Sequence, residues 1–353
     1  MDISNSSAEL ILSELTRTLE DHHEEPDTDA GLALPHDLAS SQLQKALRRK
    51  LKKTALIAAK RLLSENTEYF WRRFTGICFE DFGPSHLSLT RTVVAVARAR
   101  NWRGQVGDLK IASFLIAELM LTPADRRVDD LYMLAVAARE FPLYRSVVLE
   151  DADARNLLQQ AIQAVSDCER LVPSRYVRGL LPKKVDGWID ALDRLEPSLK
   201  ALCQEGRKAS ACILPLVMAL YLNKLAPSEL ILNTDELTTE VEGNIVLAAI
   251  DGYTAAGRQI LTGLVSQPRW KRLLRSVEGT SPQKALAMLL FAAEGGRLRS
   301  YLTDPIASEL GRFAQACWSG LPPDQVPEAI ALLTQSLPEI NQRRRETLAI
   351  SQN

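Results

Sequence analysis

Histidine is scarce in this chain, and its placement excludes more chemistry than any motif present suggests. The 353 residues hold four histidines, His22, His23, His36 and His86, all in the first quarter of the chain. Residues 87–353 therefore offer no imidazole for a general base, a Ser-His-Asp triad or a zinc site. No P-loop and no G-x-G-x-x-G fingerprint occurs, which removes the common nucleotide-binding classes. The five cysteines, Cys78, Cys168, Cys203, Cys212 and Cys317, are odd in number and never closer than nine residues. With neither a C-x-x-C pair nor a disulfide framework, they read as small apolar core residues in a reducing compartment.

Long apolar runs are missing too. The longest stretch without a charged or strongly polar side chain, Ala211 to Leu222, is twelve residues and contains Pro215, well short of the roughly 18–20 residues of a bilayer span. The first residues, Met1-Asp2-Ile3-Ser4-Asn5-Ser6-Ser7, lack the basic and apolar regions of a secretory signal and are too acidic for a transit peptide. A cytoplasmic protein with no membrane insertion is expected.

What the sequence does have is a charge inversion hidden by a net charge of −1. Residues 1–40 carry ten acids and one Arg, a balance of −9, and residues 41–110 carry fifteen Lys/Arg against five acids, a balance of +10. Blocks of like charge mark interaction segments, and adjacent opposite blocks can also satisfy each other.

Helical periodicity dominates, with almost no sustained period-2 alternation or Asn-Gly/Asp-Gly hairpin signal. The fold class expected is all-α: a multi-helix bundle, with two packed helical subdomains in an irregular solenoid-like arrangement as its looser variant. More than half of the residues should be helical and under ~5% in strand, against roughly one-third helix in an average globular protein. The organisation expected is an acidic mobile arm over 1–40 with one short amphipathic helix, a basic helical domain over 41–180 and a C-terminal helical domain over 181–353. In the arm, Leu12, Leu15 and Leu19 form the apolar face that would dock. Glu20 to Ser40 reads as a linker.

From Ser41 to Leu63 the stripe Leu43, Leu47, Leu51, Ala55, Ala58, Leu62 runs beside eight Lys/Arg and no acid. It predicts one basic amphipathic helix, roughly 35 Å long at 1.5 Å per residue. The aromatics that follow, Tyr69, Phe70, Trp71, Phe74, Phe79 and Phe82, are expected to seed the core, with a base-stacking platform as the other reading. Downstream, helices are expected over 238–266, 282–294, 323–336 and 338–350, among others, with several opened by proline.

The remaining motifs are thin. His22-His23 among acids lacks anything to fix a metal geometry, and His36-Asp37 has no downstream histidines to complete a site. Asp129-Asp130 behind Arg126-Arg127 reads as helical ion pairing rather than a Mg²⁺ motif. Gly104 to Gly107 matches a four-residue GxxG clamp, but the KH unit it resembles needs flanking strands. Arg269, Trp270, Lys271, Arg272 and Arg275 form a smaller basic patch, and Arg343 to Arg345 suit a helix C-terminus.

These features lead to a non-enzymatic helical interaction protein, a regulator or adaptor, with neither cofactor nor metal. Its acidic arm and basic helix would govern binding of an acidic protein partner. The residues expected at the interface are Lys45, Arg48, Arg49, Lys52, Lys53, Lys60, Arg61, Arg72 and Arg73. A nucleic-acid-binding protein using the same residues on phosphates is the alternative; a helical transferase and an export-associated regulator are the others carried forward.

Overall fold

A computed structural model describes residues 3–22, 34–140, 159, 182–224, 229–303 and 305–351. The all-α reading holds: the described residues are predominantly helical, with only small sheets among them. The helices are α1 (Ile3–Glu20), α2 (His36–Arg48), α3 (Lys52–Asp81), α4 (Leu87–Arg98), α5 (Arg100–Val106), α6 (Asp108–Leu121) and α7 (Arg127–Glu140). They continue as α8 (Pro182–Asp190), α9 (Pro197–Ser210), α10 (Leu214–Lys224), α11 (Ala255–Val265), α12 (Pro268–Leu273), α13 (Pro282–Leu290), α14 (Pro305–Ser319) and α15 (Val326–Ser351). Two antiparallel ribbons interrupt them: β1 (Ile231–Thr234) with β4 (Ser300–Thr303), and β2 (Val241–Glu242) with β3 (Ile245–Val246). Among the described residues no helix is long and apolar enough to cross a membrane.

Helix α3 is the axis of the assembly, touching α2, α4, α6, α7, α9 and α10. Its aromatics are core residues: Phe70, Trp71, Phe74, Phe79 and Phe82 are buried, with Phe70 stacked on Phe74 at 5.3 Å between centroids. This is the larger apolar contribution open to them, about 150–250 Å² per ring. One apolar cluster runs from Leu15 and Leu19 of α1 through α2, α3 and α6 to α11, α13 and α15. A smaller one gathers Phe79, Val128, Leu131 and the inner faces of α8, α9 and α10. The domain boundary expected between residues 180 and 181 lies outside the described residues.

Several expected elements come out differently. The single basic helix is two helices, because Lys50 turns left-handed (φ 59°) and ends α2. Leu51 N–H donates to Ala46 O (2.9 Å) and Lys50 N–H to Leu47 O (3.2 Å), the bond pair of a Schellman stop with lysine in glycine's usual place. Within α3, Asn66 leaves helical geometry and its Oδ1 accepts from Tyr69 N–H at 2.8 Å, a second helix start inside the run. The long helix expected over 238–266 is shortened to α11, because Gly243-Asn244 turns the β2–β3 hairpin. Pro338 does not separate two helices; it sits inside α15, which accepts the lost backbone bond for the burial of Leu333, Ile340 and Leu348 on either side.

Gly206 sets how closely α9 approaches α3: a Cβ there would lie 2.3 Å from Phe79 Cζ. Gly206→Ala is expected to lower stability in urea by about 1–3 kcal/mol through overpacking. Gly104, a helical glycine with open space around it, is the control, and Gly104→Ala should raise stability by up to about 1 kcal/mol.

Candidate functional site: a buried arginine hub

The charge inversion is resolved inside the protein. Helix α2 is buried from Leu38 to Arg48, polar residues included, so each of its cations must find an anion or a carbonyl within the fold. Lys45 and Arg48 are 2% and 1% exposed, and Arg49, just beyond the helix end, 3%. Their partners come from far along the chain. Lys45 Nζ meets Asp251 Oδ2 at 2.5 Å, and Ser41 Oγ donates to the same oxygen at 3.3 Å. Arg48 donates to Asp81 Oδ1 through Nε (2.9 Å) and Nη2 (2.8 Å), and Nη2 also reaches Glu80 at 3.2 Å. Gln44 Nε2 completes Asp81 at 2.8 Å. Burial pushes the Lys45 ammonium below the usual lysine range, against the pull of Asp251.

The second half of the hub is the end of α13, which widens into a π-turn over Phe291–Gly295. Its last carbonyls would be orphaned. Three consecutive ones take three guanidinium groups: Glu294 O accepts from Arg49 Nη2 (2.7 Å), Gly295 O from Arg48 Nη1 (3.0 Å) and Gly296 O from Arg126 Nη1 (3.1 Å). Cations at a helix C-terminus also oppose its dipole. The Phe291 ring lies among the same groups, with Arg48 and Arg126 each 5.2 Å and Lys45 6.0 Å from its centroid. From α15, fully buried Arg344 donates to Glu294 Oε2 (2.8 Å), Asn341 Oδ1 (2.6 Å) and Ile250 O (3.0 Å).

Lys50 reaches the other way. Its Nζ donates to Leu119 O at 2.8 Å and to Thr122 O, closing the C-terminus of α6, and lies 5.2 Å from the Phe82 ring centroid. These contacts offset a left-handed backbone costing about 1–3 kcal/mol. Burial depresses its pKa to about 8.

Other residues expected at the interface are dispersed. Arg61 donates to Leu34 O (2.8 Å) and pairs with Glu65 (2.9 Å). Arg73 donates to Gln44 Oε1 (2.6 Å), and Arg72 lies 5.1 Å from the Tyr69 ring centroid. Lys52 and Lys60 are half-buried and engaged, and Lys53 is exposed. A continuous basic face over Lys45, Arg48 and Arg49 is thus corrected to an internal hub. In α1, Leu15 and Leu19 are buried and Leu12 half-buried, on a helix that packs against α4 and α6 rather than over the basic residues. From α5, Trp102 Nε1 also donates to Thr16 Oγ1 of α1 at 3.0 Å.

Arg126 with Asp129 (2.9 Å) and Asp130 (4.0 Å) makes the expected i, i+3 and i, i+4 pairs, but half-buried at the hub's edge instead of on the surface. Gly107 carries the positive φ that ends α5, and Asp108 binds Trp71 Nε1 and Arg103 Nη1, so the GxxG stretch is a helix junction. Among the described residues no three His, Cys, Asp or Glu side chains group to hold a metal. Sequence reasoning missed Asp251, Glu294, Phe291, Arg126 and Arg344; only the unmatched positive charge of 41–63 signalled that acids elsewhere were needed. No protein-family model matches this chain, and no match emerges among curated proteins or solved structures.

Chemically, the hub joins three distant segments through paired charges. Asp81→Asn leaves buried Arg48 with only the longer Glu80 contact and should cost about 3–5 kcal/mol, whereas the joint change Arg48→Met with Asp81→Leu should cost clearly less than the single change. Urea unfolding of the three proteins checks this. For Lys50 the folded pKa of about 8 lies below the unfolded value of roughly 10.4. The charged form is therefore penalised on folding below pH 8, and that penalty fades as pH rises toward 10. Relative to Lys50→Met, which does not titrate there, the native protein should gain on the order of 1–3 kcal/mol between pH 7 and 10, read as the difference between two urea-midpoint series.

Proposed function

We propose that this chain is a helical interaction protein, a regulator or adaptor rather than an enzyme, that binds an extended segment of a protein partner along the edge of β1. The supporting observation is the β1–β4 ribbon. Ile231 and Leu232, which point to opposite faces of β1, are 50% and 59% exposed, so the strand stands off the body on both sides. Among the described residues β1 pairs only with β4. The far edge of β4 is met by Ala124, whose N–H donates to Ser300 O (2.9 Å) and whose carbonyl accepts from Leu302 N–H (2.7 Å). An exposed apolar edge strand is a template for strand addition.

The charge around the edge indicates the partner. Glu229 and Glu236 are exposed on either side of β1, while Asp235 is occupied by Arg297 at 3.4 Å. A segment with alternating apolar residues and basic flanks complements this edge. The acidic partner expected from sequence rested on Lys45, Arg48 and Arg49, which face inward.

Panning a random peptide library against the full chain, followed by fluorescence anisotropy of the enriched peptides, tests the reading. Ile231→Lys with Leu232→Lys should weaken binding at least tenfold, and Leu121→Lys, at a still more exposed leucine on α6, should leave it unchanged. Enrichment of no peptide, or affinity indifferent to the double substitution, would sink the proposal. Retention on DNA that falls when Lys52, Lys53 and Lys60 become Gln would favour the nucleic-acid alternative.

A further inference from the structure

The hub is not fully satisfied. Arg49 Nη1 and Arg344 Nη2 are buried N–H groups with no hydrogen-bond partner, on residues that are 3% and 0% exposed. An orphaned charged donor at such depth costs more than an ordinary lost hydrogen bond. Both guanidinium groups are anchored on one residue, Arg49 through Glu294 O (2.7 Å) and Arg344 through Glu294 Oε2 (2.8 Å). Arg344 has the Glu294 carboxylate as its ion partner, whereas Arg49 has no carboxylate within ion-pair distance among the described residues. The charges acting on Arg49 are otherwise like its own: Arg48, Arg344 and Arg297 repel it and Glu294 alone attracts it, so burial and these neighbours pull its pKa down to about 10. Arg297 is exposed and the Glu294 side chain is 14% exposed, which places the solvent side of this cluster at the π-turn.

We infer that Arg49 and Arg344 form a binding site for a phosphate-type oxyanion, either inorganic phosphate or the phosphoryl group of a small metabolite. The orphaned Nη1 of Arg49 and Nη2 of Arg344 would donate to its oxygens, and Arg297 would draw it in from solvent. A tetrahedral oxyanion suits this set because guanidinium groups offer directed, charge-assisted N–H donors that match phosphate oxygens. It also supplies the negative charge that Arg49 lacks. Because Arg49 follows α2, Glu294 lies in the π-turn and Arg344 belongs to α15, the bound anion would tie the front of the chain to its last helix. Occupancy should then raise thermal stability by mass action.

The test is phosphate binding to the full chain at constant ionic strength, with sodium chloride as the balancing salt. Phosphate should raise Tm in a saturable way, and ³¹P resonances of inorganic phosphate and of glycerol 3-phosphate should broaden in the presence of protein, the tighter of the two naming the source. Arg49→Lys keeps the positive charge but loses the second N–H, and should weaken phosphate at least tenfold with the helical circular dichroism unchanged. If that variant fails to fold, Arg297→Gln, a change at an exposed side chain, should weaken it several-fold. A Tm rise no larger than that given by chloride, or equal phosphate affinity in the variants that fold, overturns the site.

Discussion

Everything in this fold has to accommodate one fact about α2: a helix carrying Lys45 and Arg48, with Arg49 at its end, is buried on all sides. An isolated buried charge is unstable by many kcal/mol, so the fold cannot close until carboxylates and carbonyls arrive from elsewhere. They come from the end of α3 (Glu80, Asp81), from the loop before α11 (Asp251) and from the π-turn after α13 (Glu294, Gly295). The apolar cluster that joins α1 to α15 would pack in many ways. The charge partners permit far fewer, since shifting α2 by one turn would leave Arg48 without Asp81.

Part of the protein's irregular backbone sits where this constraint acts. Lys50 takes a left-handed conformation that glycine would adopt freely, because its side chain is needed at Leu119 and Thr122. The π-turn at Phe291–Gly295 widens the helix end, and its carbonyls reach three arginines from two different segments. Thr254 caps α11 by accepting from Gly257 N–H at 3.0 Å, and a Cβ at Gly257 would lie 1.8 Å from Asp251 O. That glycine lets the helix start lie directly against the loop that carries Lys45's partner. Strain and close approach thus occur at the hub, as they also do at left-handed Ala211 and where Gly206 meets Phe79.

How legible this was from sequence divides along a physical line. Local rules worked where local interactions decide: periodicity and the opening proline placed α13 from Pro282, and the dense aromatics of 70–82 went to the core. They failed where a distant residue decides. The eight basic residues between Ser41 and Leu63 look like a solvated face until Glu80, Asp81, Asp251 and Glu294 are known to be adjacent, and their separations, up to about 250 residues, carry no periodic signal. The stop at Lys50 has no glycine or proline to announce it, since its cost is met by contacts with α6. The Gly243-Asn244 turn was readable in principle and was outweighed by the helical pattern around it.

The inward placement of the basic segment also changes what the surface has to offer. A chain with a +10 segment would ordinarily present it to polyanions, but here the strongest of that charge is consumed by internal pairing, and Arg61, Arg72 and Arg73 are each in contact with a neighbour. Attraction for an extended polyanion must be correspondingly weak, because affinity for phosphate chains grows with the number of cations that can reach them. Two of the places where the described residues leave bonding capacity unspent differ in kind. The edge of β1 offers backbone hydrogen bonds and apolar side chains to something long and extended. The Arg49–Arg344 pair offers two buried N–H donors, enough for a small compact anion and inaccessible to a large one. A macromolecule at the first and a small oxyanion at the second would therefore not compete for the same groups. They would be linked through Arg297, which pairs with Asp235 just after β1 and also bears electrostatically on Arg49. An anion that drew Arg297 toward Arg49 would loosen its hold on Asp235, and the charge flanking the strand edge would then depend on occupancy of the hub.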